Sequence, residues 1–388
     1  MSSLADFQNE IYLNGLADVC PELPTDLTRL EAAAEGRLPA EAFGYVAGSA
    51  GAEATARANR AALDRWRIVP RMLRNVSARD LSVEVLGTVL PAPVLLGPVG
   101  VLSIFHPEGE LAVARAAAGV GLPMVLSTAA SHSMEEVAAA SGATAARWYQ
   151  LYWPKDRDLA VSFLERARAA GYRALVVTLD TPTLAWRPRD LDGAYLPFLR
   201  GIGAANYYTD PVFQKAVGGP VTEENRDAAV LHWAATFGNP SLTWDDLAFL
   251  REHWDGPIAL KGIQHPDDAR HAVDAGMDGI IVSNHGGRQV DGAVGALDML
   301  PDVVAAVGDR ITVLFDSGIR TGADVVKALA LGASAVLIAR PYVYGLALGG
   351  EAGVRHVLRC LLAELDLTMT LAGFTRPAEL TPEVLRHQ

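Results

Sequence analysis

Cysteine is nearly absent: Cys20 and Cys360, near opposite ends, are the only two in the chain. That excludes a disulfide framework, a CxxC redox pair and a cysteine-rich zinc site, and it suits a reducing cytoplasm, the compartment expected here. Positive charge is also in short supply. The 33 Lys and Arg against 45 Asp and Glu leave a net charge of −12, which repels a phosphate backbone, so nucleic acid is not an expected partner. Long apolar runs are missing too. The longest, LPAPVLLGPVGVLSIF at 90–105, is broken by Pro91, Pro93 and Pro98, and the opening MSSLADFQNEIYLNG has no basic segment followed by an apolar core. Neither a membrane span nor a signal peptide is expected. His106 in HPEG precedes a helix and reads as a loop or capping element; His232, His253, His265 and His271 show no paired spacing with carboxylates, so no metal is expected, and Trp66, Trp233, Trp244 and Trp254 read as packing residues. What is present is enough apolar material for a large core, 50% of 388 residues.

From about residue 93 short apolar or β-branched runs alternate with stretches of helical length, the rhythm of parallel strands joined by crossover helices. The runs are PVLLG (93–97), PMVLS (123–127), RWYQLY (147–152), ALVVTLD (174–180), PIALK (257–261), GIIVSN (279–284), ITVLFD (311–316) and AVLIA (335–339). Eight βα units close as a (β/α)8 TIM barrel. An open doubly wound sheet would place a GxGxxG turn after its first strand, and GPVGVLS does not match. The expectation is one domain over 1–388, with an N-terminal helical extension at 1–70 whose TDLTRLEAAAEG starts at a Thr25 or Asp26 cap. The segment 181–256, rich in Pro, Gly and aromatics, follows the fourth strand and reads as a lid insertion. EAGVRHVLRCLLAELDLTMTLAG reads as an amphipathic helix packed on the barrel.

In such a barrel the strand C-termini share one mouth, and here they end in Ser127, Gln150 with Tyr152, Asp180, Lys261, His285, Asp316 and Arg340. That composition suits proton transfer beside a bound anion. The densest segment is SNHGGRQVDG at 283–292. His285 can take and return a proton near neutrality, Arg288 offers a planar fork for a carboxylate, and Gly286 and Gly287 permit a tight turn between them.

This segment resembles the signature of the FMN-dependent 2-hydroxy acid oxidase and dehydrogenase family. The resemblance extends through FGYVAGSAG, HPEGELAVARAA, QLYWPKDR, LVVTLDTPT, LKGI, DSGIR and RPYVYGLALGGEAGV, nearly the whole chain. WRPRDLD and YLPFLRGIG in the lid resemble the family's lactate 2-monooxygenase branch.

The resemblance implies roles residue by residue. His285 is similar to the base that takes a substrate proton, from the 2-hydroxyl in a hydride account or from C2 in a carbanion account. Asp180 would hold its imidazole and raise its pKa. Arg187, Arg288 and the Tyr45 hydroxyl resemble the clamp on the substrate carboxylate, and Tyr152 the donor to its 2-oxygen. Lys261 would sit beside flavin N1. The FMN phosphate would take backbone N–H groups and guanidinium charge from Gly318, Arg320, Ala339 and Arg340, with Asp316 on the ribityl chain. Ser127, Gln150, Thr178 and Ser283 would contact the flavin's polar edge, and Pro98, Val99 and Gly100 its N5 side. Gly100, where many oxidases have alanine, is the monooxygenase-type residue and implies extra room there.

The activity so implied is oxidation of a small L-2-hydroxy acid, L-lactate foremost, with O2, the retained pyruvate being decarboxylated to acetate, CO2 and water. Release of keto acid and hydrogen peroxide is the alternative. A flavin-free phosphate-binding isomerase or aldolase, with Lys261 forming a Schiff base, is the rival from another class, and a flavin-storing barrel without turnover is the non-enzymatic one. The resemblance further implies a homotetramer or homo-octamer, with no membrane partner.

Overall fold

The computed structural model describes residues 3–388. Its centre is a closed barrel of eight parallel strands: β1 (Val94–Leu96), β2 (Met124–Ser127), β3 (Arg147–Leu151), β4 (Leu175–Thr178), β5 (Ile258–Ile263), β6 (Gly279–Val282), β7 (Thr312–Phe315) and β8 (Ala335–Ile338). Each falls within or against one of the eight runs read from the sequence, and β8 pairs with β1 to close the ring, Leu337 opposite Leu95. The crossover helices are α1 (Gly109–Gly119), α2 (Met134–Ser141), α3 (Arg157–Ala169), α4 (Leu247–His253), α5 (Pro266–Asp274), α6 (Ala296–Val307), α7 (Gly322–Ala330) and α8 (Arg340–Ala372).

The strand period of two residues explains how an apolar barrel ends in a polar mouth. One inward layer consists of Leu95, Val125, Trp148, Val176, Ile281, Leu314 and Leu337, a buried cluster separate from the larger core between strands and helices. Two residues further along the same strands come Ser127, Gln150, Thr178, Ser283 and Asp316. Lys261 stands level with Thr178 in the β4–β5 register. The other end of the barrel is covered by a hairpin, Val83–Val85 with Thr88–Leu90, which the sequence reading did not anticipate. Its turn uses positive φ at Leu86 and Gly87, and Thr88 Oγ1 accepts the Trp148 indole N–H at 3.1 Å.

The N-terminal extension is helical as expected, with Asp26 accepting from Thr28 N at its cap, but it ends in a strand, Trp66–Ile68, paired with Leu385–His387. The insertion after β4 also differs from a simple lid over 181–256, because α4 of the barrel lies inside that range. The remainder forms short helices, Pro188–Asp192, Ala205–Tyr208, Pro211–Ala216 and Arg226–Thr236, over the mouth. The C-terminal segment belongs to α8, which kinks at Gly349 and Gly350 and buries Val354, Val357, Leu358, Leu361 and Leu365. No described helix is long and apolar enough to cross a membrane.

Candidate active site

A cleft enclosing about 1130 Å³ of empty space, counted out to its mouth, opens at the C-terminal end of the barrel. Tyr45, Tyr152, Arg187, Lys261, His285, Arg288, Asp316, Gly318, Arg320, Ala339 and Arg340 all line it, with Pro98, Val99, Gly100 and Ser127. The structure thus gathers into one space residues from the extension, seven strand ends and the lid.

His285 sits in the turn after β6 with φ +57, a left-handed conformation that a non-glycine residue adopts only when its surroundings enforce it. Ser283 Oγ accepts the His285 N–H at 3.0 Å and Asn284 Oδ1 accepts the Gly287 N–H at 3.1 Å. Asn284 is itself locked to Asn59 through two reciprocal amide bonds of 2.7 and 2.8 Å. The imidazole Nδ1 lies 2.7 Å from Asp180 Oδ1. Burial works to raise the Asp180 carboxyl, but the charges of His285 and Lys261 hold it below the ordinary carboxylate range. An ionised carboxylate only accepts, so Nδ1 carries the proton and Nε2 is left with a lone pair. Burial, the largest influence on His285, keeps its pKa below 6.5 in spite of Asp180. Asp180 does raise it, as expected, but desolvation of the imidazolium outweighs the carboxylate.

A β-bulge makes this pairing possible. Between Lys261 and Ile263 the β5 register shifts at Gly262, φ +108, where a Cβ would lie 2.8 Å from Asp180 Cβ. Only glycine leaves space for the aspartate there. Lys261, from the same strand, is buried with Nζ 3.0 Å from Ser283 Oγ and 3.2 Å from Asp316 Oδ2. Burial opposes its charge, yet Asp316 and Asp180 more than compensate and its pKa rises.

The two rim arginines are held differently. Arg288 Nη1 donates to Tyr45 O at 2.6 Å and Gly48 O at 2.7 Å, with its guanidinium carbon 5.0 Å from the centre of the Tyr45 ring. Arg187 enters from the lid and donates from Nε to Arg288 O at 3.0 Å and from Nη2 to Gln289 Oε1 at 2.7 Å. Burial, aided by the Arg288 charge, brings its pKa down to about 10. The Tyr152 hydroxyl is pushed up to about 12 by burial and the Asp180 charge, so it stays protonated.

Several expected contacts are relocated. Gln150, Thr178 and Ser283 do not line the cleft, and neither does Asp180, which sits where it was expected, against the His285 imidazole. Gln150 Oε1 accepts from Ser127 Oγ at 3.0 Å and its Nε2 donates to Thr178 Oγ1 at 2.9 Å, a buried layer under the floor, while Asp180 and Ser283 stand behind His285 and Lys261. Arg340 lines the cleft but its guanidinium is already occupied by Val46 O, Gly48 O, Gly286 O and Ser49 Oγ at 2.9–3.0 Å, so it ties the extension to the barrel. The Arg320 backbone N–H goes to Asp324 Oδ2 at 2.9 Å, leaving only its guanidinium for an anion. At Gly100, which lines the cleft, an added methyl would fall 2.7 Å from Ala129 O, so glycine here also satisfies a close approach of two loops. Residues the sequence reading overlooked include Val46, Phe105, Leu184, Phe198 and Phe237 on the walls and Ser317, whose Oγ accepts from Asn284 N and Gly286 N. Nothing in their spacing marked Val46, Leu184, Phe198 and Phe237, because lid and extension reach the mouth only through the fold.

Fold and site define a barrel enzyme built around a proton acceptor, a buried lysine and an anion clamp. Comparison with known proteins makes this specific. A model of the family described as FMN-dependent dehydrogenase matches residues 34–387, and the chain belongs to that family. It is 47% identical to an FMN-dependent alpha-hydroxy acid dehydrogenase of Penicillium citrinum, over 99% of this chain and 96% of that protein. It is 42% identical to an L-lactate oxidase of Lysinibacillus sphaericus, over 94% and 93%. A crystal structure of mandelate oxidase superposes with a TM-score of 0.83 at 41% identity, covering 94% of this chain and 99% of that one. The protein is accordingly an FMN-dependent 2-hydroxy acid oxidoreductase.

The residues present fit FMN. Among the described residues the Arg320 guanidinium donates only to Ile319 O, at 3.0 Å, and burial lowers its pKa, the condition of a cation that needs an anion. The start of α8 leaves the first-turn N–H of Arg340 without an intrahelical acceptor. Lys261 supplies a buried positive charge to the cleft and would suit the negative charge that a flavin gains on reduction.

Proposed function

We propose that the protein oxidises small L-2-hydroxy acids, L-lactate foremost, with dioxygen as the final acceptor, and that the keto acid retained under the lid is decarboxylated, so that acetate, CO2 and water leave. The observation that carries the first half is the orientation of His285, whose Nδ1–H is committed to Asp180 while Nε2 remains basic. FMN, when bound, supplies the two-electron acceptor for the hydride on C2. In this reading Arg320, Gly318 and the start of α8 hold its phosphate, Lys261 its pyrimidine side, and Pro98 to Gly100 its other edge.

The remaining work falls to the chain itself. Arg187 and Arg288 fix the substrate carboxylate, an orientation that supplies much of the rate. His285 Nε2 takes the 2-hydroxyl proton as the C2–H electron pair departs, and Asp180 stabilises the imidazolium that results. Tyr152, protonated at all working pH values, donates to the 2-oxygen. The C2 substituent faces Leu184, Phe198, Phe237 and Ala129, an apolar wall that suits an aliphatic side chain. The similarity to a protein named L-lactate oxidase supports both lactate and oxygen.

Retention is supported by how tightly the lid is keyed to the barrel. At Gly203 a Cβ would lie 2.5 Å from Val101 Cγ1, 2.7 Å from Phe198 Cε1 and 2.9 Å from Ala129 O. A lid so closely seated slows escape of a small product. The exposed Trp186, Leu191, Leu199 and Leu231 on the lid are apolar groups that assembly into the implied cytoplasmic homotetramer or homo-octamer would cover. The test is L-lactate under air with quantified products. Acetate and CO2 in equal amounts support the proposal, whereas stoichiometric pyruvate and hydrogen peroxide assign the protein to the oxidases.

A further inference from the structure

We infer that Gln289 is a positioning residue for the carboxylate clamp, its side-chain amide holding the Arg187 guanidinium at the rim and joining it to the exit of β4; this rests on the function proposed above. The amide spans two elements. Its Oε1 accepts from Arg187 Nη2 at 2.7 Å, and its Nε2 donates to Asp180 O at 2.5 Å and points toward Thr183 O at 3.5 Å. The orientation is dictated by its neighbours, because a guanidinium only donates and a carbonyl only accepts.

The need for such a holder follows from the charges. Arg187 and Arg288 line the same cleft, and a long cationic side chain beside a second cation gains by swinging into water. Two successive residues of the β6 turn prevent it, the Arg288 carbonyl gripping Nε and the Gln289 amide gripping Nη2. A neutral amide is the group suited to this place. A glutamate would cancel the Arg187 charge that the substrate needs and would set a carboxylate oxygen against the Asp180 carbonyl. The same amide also fixes the backbone of Asp180, whose side chain orients His285, so one side chain keeps the clamp and the proton acceptor in register.

The test uses FMN-loaded enzyme and two readouts: pyruvate affinity by titration calorimetry, and anaerobic flavin bleaching by L-lactate, resolved into a saturating rate and a half-saturating concentration. Gln289→Ala should weaken pyruvate binding and raise half-saturation by lactate about tenfold or more. Gln289→Glu should weaken pyruvate further while leaving the affinity of uncharged lactamide within about twofold of the parent. In an Arg187→Met background Gln289→Ala should add no more than about twofold, because the two residues act through one contact. Equal losses for pyruvate and lactamide in Gln289→Glu, or fully additive losses in the double variant, would overturn the inference. Should Gln289→Ala fail to fold, the Gln289→Glu comparison decides alone. If lactate does not bleach the parent enzyme but pyruvate binds, the functional proposal fails and the pyruvate arm still judges Gln289.

Discussion

His285 Nδ1 stands 2.7 Å from Asp180 Oδ1, yet the imidazole is less basic than a free one. Both partners are enclosed by the lid and by β5, and the cost of placing an imidazolium there exceeds what one carboxylate returns. The pair therefore rests as neutral histidine and ionised aspartate, the state in which Nε2 can accept a proton.

That resting state sets a pH dependence. The basic form of His285 dominates above its lowered pKa, so lactate-driven flavin reduction should be level from neutrality upward and fall only as pH drops below 6.5. Asp180→Asn removes the influence that raises this pKa, so the acid limb should move to still lower pH, with the plateau reduced about 10²–10⁴-fold as the imidazole loses its fixed tautomer. Anaerobic stopped-flow rates across about two pH units on either side of neutrality measure both. An acid limb displaced upward in the variant would contradict the assignment.

Replacing His285 by Ala should lower flavin reduction by lactate about 10²–10⁴-fold while the purified protein stays yellow. The side chain lines the cleft without supporting the barrel, so the visible flavin spectrum and the melting temperature are the controls. Loss of colour together with activity would move His285 from proton transfer to cofactor retention.

Arg320→Leu removes a guanidinium that has a single acceptor among the described residues. FMN affinity should fall about tenfold or more, in line with about 1.5–3 kcal/mol for a charge-assisted hydrogen bond, and riboflavin affinity should hardly change. Fluorescence titration of the deflavinated protein with each compound checks this. Equal losses for both would place Arg320 away from the phosphate.

Gly100→Ala should destabilise the protein by about 1–3 kcal/mol, because the new methyl meets Ala129 O at 2.7 Å in a packed loop junction. Thermal unfolding reads the loss directly. A variant of unchanged stability with a higher peroxide yield would show instead that this position regulates room beside the flavin.

The barrel was legible because its signal is local and repeated. Each strand is a short apolar run after a helical segment, and the inward layer two residues before each polar end follows from the strand period alone. His285, Asp180, Lys261 and Arg288 could be named for the same reason, each lying at or just beyond a strand end. The hairpin at 83–90 and the strand at 66–68 carry no such repetition, and their partners are the barrel floor and residues 385–387, far away in sequence.

The sequence by itself determined the number of barrel strands, the face on which polar groups collect and the chemical kinds of group found there, since these depend on neighbours two to four residues apart. Only the tertiary structure decided which of those groups face the cleft, which stand behind it and which are already occupied. Arg340 and Arg320 look alike along the chain, but the extension supplies three acceptors and the β6 turn a fourth to one guanidinium, whereas the other is left with one among the described residues. The basicity of His285 was likewise settled by enclosure, a property of everything packed around it and not of Asp180 alone.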